Sequence, residues 1–282
     1  MSHVKNPISR LGTVGTFIKR GTCSETSFCV LNQAHNNPLP AEEHATVPFA
    51  GGIMQHGYQC GLVWGAALAA GAEAFRQFGA GAKAETRAVV ASQEIVESFR
   101  TQNKSNMNCL EITELDKSST TMQMITYFLI KGGTIGCFRR AAKYAPAAFK
   151  VINDVLSDSE IETPPAPVSC SALVAQKMGA SDMHTVMAAG LAGGIGLSGG
   201  ACGALGAAIW LNGVKKQKVP GGKIEFKDPA AASTIDRFLK LTDYEFECLK
   251  IVGRKFKTVG EHAEHLRCGG CAKLIEQLVS RD

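Results

Sequence analysis

Aromatic residues are scarce, at 7% of the 282 positions, and charged residues reach only 20%. With 45% apolar residues, that balance excludes a disordered chain. Few aromatics beside 30 glycines point away from a β-sandwich and toward closely packed small-residue helices. Strand-like alternation is nearly absent, and Lys223-Ile224-Glu225-Phe226 is a short, isolated candidate. No apolar run follows Met1 to Pro7, so no secretory signal is expected and a cytoplasmic location is. Gly190 to Gly196 is glycine-rich but follows no predicted strand, which excludes a Rossmann reading. Val186 to Leu211 carries no charge and is long enough to span a bilayer. Its paired glycines, Gly193-Gly194 and Gly199-Gly200, instead predict two buried helices joined by a turn, with no membrane partner.

The net charge is +5. Its basic clusters, Lys215 to Lys218 and Arg254 to Lys257, lack interleaved stacking side chains, so they read as solvated surface and no nucleic-acid partner is expected. Ten cysteines are too few for a disulfide scaffold of this length. Many thiols in a cytosolic chain point to metal or redox chemistry.

An internal duplication organises these thiols. Ala50-Gly51-Gly52-Ile53, Gly57, Cys60-Gly61 and Ala66 recur 142 positions later as Ala192-Gly193-Gly194-Ile195, Gly199, Cys202-Gly203 and Ala208. Cys109-Leu110 matches Cys248-Leu249, and Gly136-Cys137 matches Gly270-Cys271, at shorter offsets. Upstream, Cys29 falls opposite Cys170, one residue out of step. The expected ladder is therefore Cys29, Cys60, Cys109 and Cys137, repeated as Cys170, Cys202, Cys248 and Cys271, with Cys23 and Cys268 as extras. The polar, proline-rich run 157–167 reads as a linker between repeats 1–160 and 161–282.

Apolar spacing predicts helices over 62–78, 86–100, 135–155, 171–177, 233–252 and 271–279, with Pro146 a candidate kink. The expected fold class is all-α: two tandem helical bundles packed as a pseudo-two-fold pair, like a homodimer fused into one chain. A homodimer of the whole chain is a further expected arrangement.

Thiols drawn from separate helices suit zinc, copper(I) or an iron–sulfur cluster, and four cysteines match a [2Fe–2S] or [4Fe–4S] centre. The eight ladder cysteines are thus candidate metal and cofactor ligands. Two alternatives remain open: a metal-free dithiol, and buried inert cysteines. Cys268-Gly269-Gly270-Cys271, opening the last helix, is a candidate thiol–disulfide pair. His262, His265, Cys268 and Cys271 recur every three residues, and read as a hydrated helix with surface histidines rather than a ligand set. His56, matched by Ser198, is a candidate proton shuttle.

The order Cys, Gly-Gly-Ile…Cys-Gly, Cys-Leu, Gly-Cys resembles the redox-active C_GCAxxG_C_C family, which includes the cysteine-bearing domain of split-Soret cytochrome c. Two copies would cover nearly the whole chain. The resemblance implies a helical fold, a redox role with a partner protein, and an iron–sulfur centre on the ladder cysteines. Leu62 stands where the motif has Ala, and Ala207 where it has its last Gly. A c-type haem does not carry over, since Ala272 follows Cys271 where a histidine is required. The leading expectation is an iron–sulfur redox or electron-transfer protein.

Overall fold

The chain is described by a computed structural model covering residues 6–219 and 221–280. Residues 1–5, on which most of the signal-peptide reading falls, lie outside the described residues.

Among the described residues the architecture is all-α, with only two isolated backbone bridges and no strand. The first half runs α1 (Arg10–Arg20), α2 (Cys23–Ala34), α3 (Pro40–His44) and a short turn, α4 (Ala50–Ile53). It continues with α5 (Gly61–Phe78), α6 (Ala82–Gln102), α7 (Cys109–Thr113), α8 (Thr121–Ile125) with a π-helical turn behind it, and α9 (Gly133–Leu156). The second half runs α10 (Cys170–Lys177), α11 (Asp182–Ala189), α12 (Gly203–Gln217), α13 (Pro229–Leu241), α14 (Cys248–Val252), α15 (Val259–Arg267) and α16 (Ala272–Val279).

The centre of each half is an alanine- and glycine-rich helix, α5 or α12. Ala is the best helix former and leaves no bulk, so neighbours approach closely on all sides. Residues 61–74 of α5 are accordingly buried throughout, against α2, α6 and α11. Pro146 lies within α9, which continues past it to Leu156. Residues 157–167 form no helix.

The two halves meet as a pseudo-two-fold pair. In a self-complementary interface, contacts occur reciprocally and equivalent residues meet at the axis. Both signatures are present at the 142-residue offset. The Ala201 backbone N–H donates to Gln59 Oε1 at 2.8 Å, His184 Nε2 lies 2.9 Å from Glu42 Oε1, and Gly206 lies against the Trp64 ring. Gly71 packs on Met187, and its equivalent Gly213 packs on Ala45, the equivalent of Met187.

Two expected elements differ. The helix expected over 233–252 breaks after Leu241, because Asp243 and Tyr244 adopt left-handed backbone angles. The Thr242 hydroxyl closes this break by donating to the carbonyls of Phe238 and Glu245. The helix also starts earlier, capped by Asp228, whose carboxylate accepts from the Ala230 and Ala231 N–H groups. Lys223 to Phe226 pairs with no strand and stays a loop. The uncharged stretch 186–211 divides between α11 and α12, and no described helix is long and apolar enough to cross a membrane.

Candidate functional site

Each half brings four thiols into one neighbourhood by the same local device. The turn Gly51-Gly52, and its equivalent Gly193-Gly194, has positive φ throughout. A Cβ at Gly52 would strike the Tyr58 carbonyl, and one at Gly194 the Gly200 carbonyl, so only glycine fits. The chain doubles back through this turn to the central cysteine. There it is stitched to the third cysteine: Cys60 N–H donates to the Met107 carbonyl at 2.9 Å, and Cys109 N–H to Tyr58 at 2.6 Å. Cys202 N–H to Phe246 (2.8 Å) and Cys248 N–H to Gly200 (2.7 Å) repeat the pattern.

The thiols stand at helix starts. Cys23, Cys109, Cys170 and Cys248 are first residues of α2, α7, α10 and α14, while Cys60, Cys202 and Cys271 cap α5, α12 and α16. Cys137 lies in the first turns of α9.

In the first half the grouped thiols are Cys23, Cys60, Cys109 and Cys137, which line one cavity of about 630 Å³. Cys29 is not among them, which corrects its expected place on the ladder. It faces the other side of α2, where Arg20 Nη2 donates to its sulfur at 3.5 Å. Glu25 and Glu43, both buried, bind the same arginine. Cys170 is the structural counterpart of Cys23, since both follow an N-cap, Ser169 and Thr22. In the second half Cys170, Cys202, Cys248 and Cys271 influence one another electrostatically. Of these, the adjoining cavity of about 370 Å³ reaches only Cys271.

Burial raises nearly every thiol pKa, because the thiolate is the form that needs water. Cys137 and Cys29 are pushed up to about 11, and Cys109, Cys202 and Cys271 to about 12. Cys170 and Cys248 are also raised. Cys23 alone moves down: Cys60 hydrogen-bonds to it, and the N–H groups of Gly51, Ser24 and Cys23 add to the effect against burial. The Cys60 thiol is driven up by the same contact and by burial. Cys170 receives the equivalent backbone bonds, from Gly193, Ser171 and itself, but no thiol partner.

The iron–sulfur, zinc and copper expectations are corrected here. Among the described residues no group of three or more His, Cys, Asp or Glu side chains is placed to hold a metal ion. The first-half thiols line the wall of an apolar cavity instead of closing on one point, and Cys29 is held away by Arg20. The donor set does not fit a cluster, and the metal-binding and electron-transfer readings fall with it. All ten cysteines are free thiols.

The remaining candidates are placed as follows. Cys268 is exposed, and its thiol donates to Glu264 Oε1 at 3.4 Å, which raises its pKa. His265 Nε2 lies 3.7 Å from Cys271 Sγ. His262 is buried, not on the surface, and its Nδ1 lies 2.9 Å from the Val168 carbonyl. The His56 ring packs at a 43° tilt with its centroid 4.8 Å from that of Phe246 of the other half, and it does not line the thiol cavity. Lys216 of the first basic cluster pairs with Asp228.

Two segments, residues 22–138 and 168–281, each match a family model described as "Putative redox-active protein (C_GCAxxG_C_C)". The first match begins just before Cys23. Nothing in it ties the chain to a cytochrome c in particular. No curated protein and no solved structure matches the chain.

Proposed function

The chain belongs to the redox-active C_GCAxxG_C_C family, and on that premise we propose a metal-free thiol–disulfide redox protein whose working pair is Cys23 and Cys60. The observation that carries this reading is their shared place: both line one cavity, the Cys23 sulfur lies against Gly61, the residue after Cys60, and the Cys60 thiol favours the Cys23 thiolate. Thiolate is the nucleophile in exchange, and helix N-termini favour it.

The Cys23 thiolate attacks one sulfur of a disulfide R–S–S–R′. A Cys23–S–S–R bond forms, the S–S bond breaks, and R′–S⁻ leaves and takes up a proton. Capping Cys23 removes the negative charge that held Cys60 protonated. Cys60 then loses its proton and attacks the Cys23 sulfur, forming Cys23–S–S–Cys60 and releasing R–S⁻. Two protein thiols are oxidised and one disulfide is reduced to two thiols.

Cys268 and Cys271 form a second candidate pair, with both thiols raised in pKa and therefore slower to attack. A reducing compartment such as the cytoplasm matches ten free thiols.

Anaerobic, fully reduced protein treated with one equivalent of a small disulfide should release two thiols per chain. Peptide mapping should find Cys23–Cys60 as the first intramolecular disulfide. Cys23→Ser should slow the reaction by about tenfold or more. A first disulfide elsewhere, or wild-type rates in Cys23→Ser, would overturn the assignment.

A further inference from the structure

We propose that the first-half cavity is a binding site for uncharged, apolar small-molecule disulfides, which it presents to Cys23 while excluding charged ones. This rests on the dithiol reading and assigns its substrate class. At about 630 Å³ the cavity lies within the range of small-molecule sites. Its walls are mainly apolar, with Phe17, Leu62, Ile112, Phe128 and Phe138 facing the space. Arg140 is the one charged side chain on the wall; its Nε donates to the neutral Asn103 Oδ1 at 2.7 Å, which leaves the guanidinium charged. The polar Gln55 amide is turned toward Met124 Sδ, 3.0 Å away. The mouth continues the apolar character outward, since Ile18 is 67% exposed and Phe128 39%.

Such a pocket pays no desolvation penalty for an aromatic or aliphatic disulfide. A disulfide carrying several carboxylates, such as oxidised glutathione, would have to strip them of water with a single cation, Arg140, on the wall, so at least one carboxylate would be left uncompensated. The second-half cavity that reaches a thiol is smaller, is flanked by His265 and Lys273, and reaches only Cys271. The chemical step is the one above: the Cys23 thiolate displaces one R–S⁻ from the neutral disulfide, and Cys60 displaces the other.

Reduced, full-length protein would be reacted with neutral dithiodipyridine, with the dianion of dithiobis(nitrobenzoic acid), and with oxidised glutathione. Each rate would be divided by that of a free small thiol with the same reagent. The neutral reagent should then exceed both charged ones by about 30-fold or more. Ile18→Lys places a cation on the exposed rim, and should speed the dianion and narrow that ratio while mapping still finds Cys23–Cys60. A ratio near one in the native protein overturns the substrate class and leaves the dithiol reading standing. An unchanged ratio in folded Ile18→Lys also overturns it. Failure of all three reagents to yield Cys23–Cys60 overturns the dithiol reading and the inference together.

Discussion

Cys23 differs from the other thiols through a hydrogen bond rather than through a nearby cation. Its support comes first from Cys60 and then from backbone N–H groups, that of Gly51 in the glycine turn and those of Ser24 and Cys23 at the start of α2. The reactive form is the thiolate, so a lowered pKa moves half-maximal alkylation to lower pH than the ~8.5 of a free cysteine. Mass-spectrometric alkylation across pH should show Cys23 labelled first, with Cys109 and Cys137 lagging. Cys60→Ala removes the donor and leaves burial to act, so the Cys23 midpoint should rise. Cys60→Ser keeps a hydroxyl donor and should restore part of the shift. Cys29→Ser should leave exchange unchanged, because that thiol sits with Arg20 away from the cavity. The misplacement of Cys29 had a signal in the sequence. Matched cysteines lie 142, 139 and 134 residues apart from the central pair onward, so the offset shrinks along the chain. Extrapolated upstream it should lengthen, which selects Cys23, 147 before Cys170, over Cys29. The hydrogen bond itself was not legible, since spacing does not state which two sulfurs touch.

Helices α5 and α12 hold the halves together by presenting glycine where a backbone or side chain of the other half arrives. Their two reciprocal contacts are not equally tight. A Cβ at Gly71 would lie 2.5 Å from Met187 Cα and 2.6 Å from its carbonyl oxygen, and backbone cannot step aside. At Gly213 the nearest atoms are 3.1 Å away, at the side chains of Ala45 and Ile224. Ala gains about 1 kcal/mol over Gly in a helix interior, whereas overpacking costs about 1–3 kcal/mol or more. Gly71→Ala should therefore lower the urea midpoint by the equivalent of about 2 kcal/mol, and Gly213→Ala should be close to neutral. Helices α6 and α9 were readable from their apolar stripes and α5 from its Ala-rich composition, whereas α1, α2 and α15 had no counterpart among the expected helices. The break between α13 and α14 was not readable, since the apolar stripe runs on through Phe246 and Leu249. Its equivalent in the first half, at Lys104 and Ser105, has the same left-handed pair as Asp243 and Tyr244. The duplication thus held the information that periodicity lacked.

The whole molecule is a duplicated frame with unequal halves. Duplication was legible because glycines and cysteines recur in order. The inequality was not, because it arises where distant segments meet: α1 and the π-helical turn after α8 border the first cavity, whereas residues 157–167, which precede α10, form no helix. The same frame buries Glu85 in the first turn of α6. A helix N-terminus favours a carboxylate by about 1 kcal/mol. Burial outweighs that and lifts its pKa to about 7. The unfolded chain ionises this group near pH 4.3, while the folded one stays protonated until about 7. Between those values the unfolded state gains by releasing a proton, so the stability contributed by Glu85 falls as pH rises and levels off above 7. The full loss is about 4 kcal/mol. Glu85→Gln keeps the shape of the neutral acid without the titration. Denaturant unfolding should find it more stable than the native chain by up to about 4 kcal/mol at pH 8, with the gain vanishing near pH 4. Equal gains at both pH values would mean that Glu85 does not titrate between them.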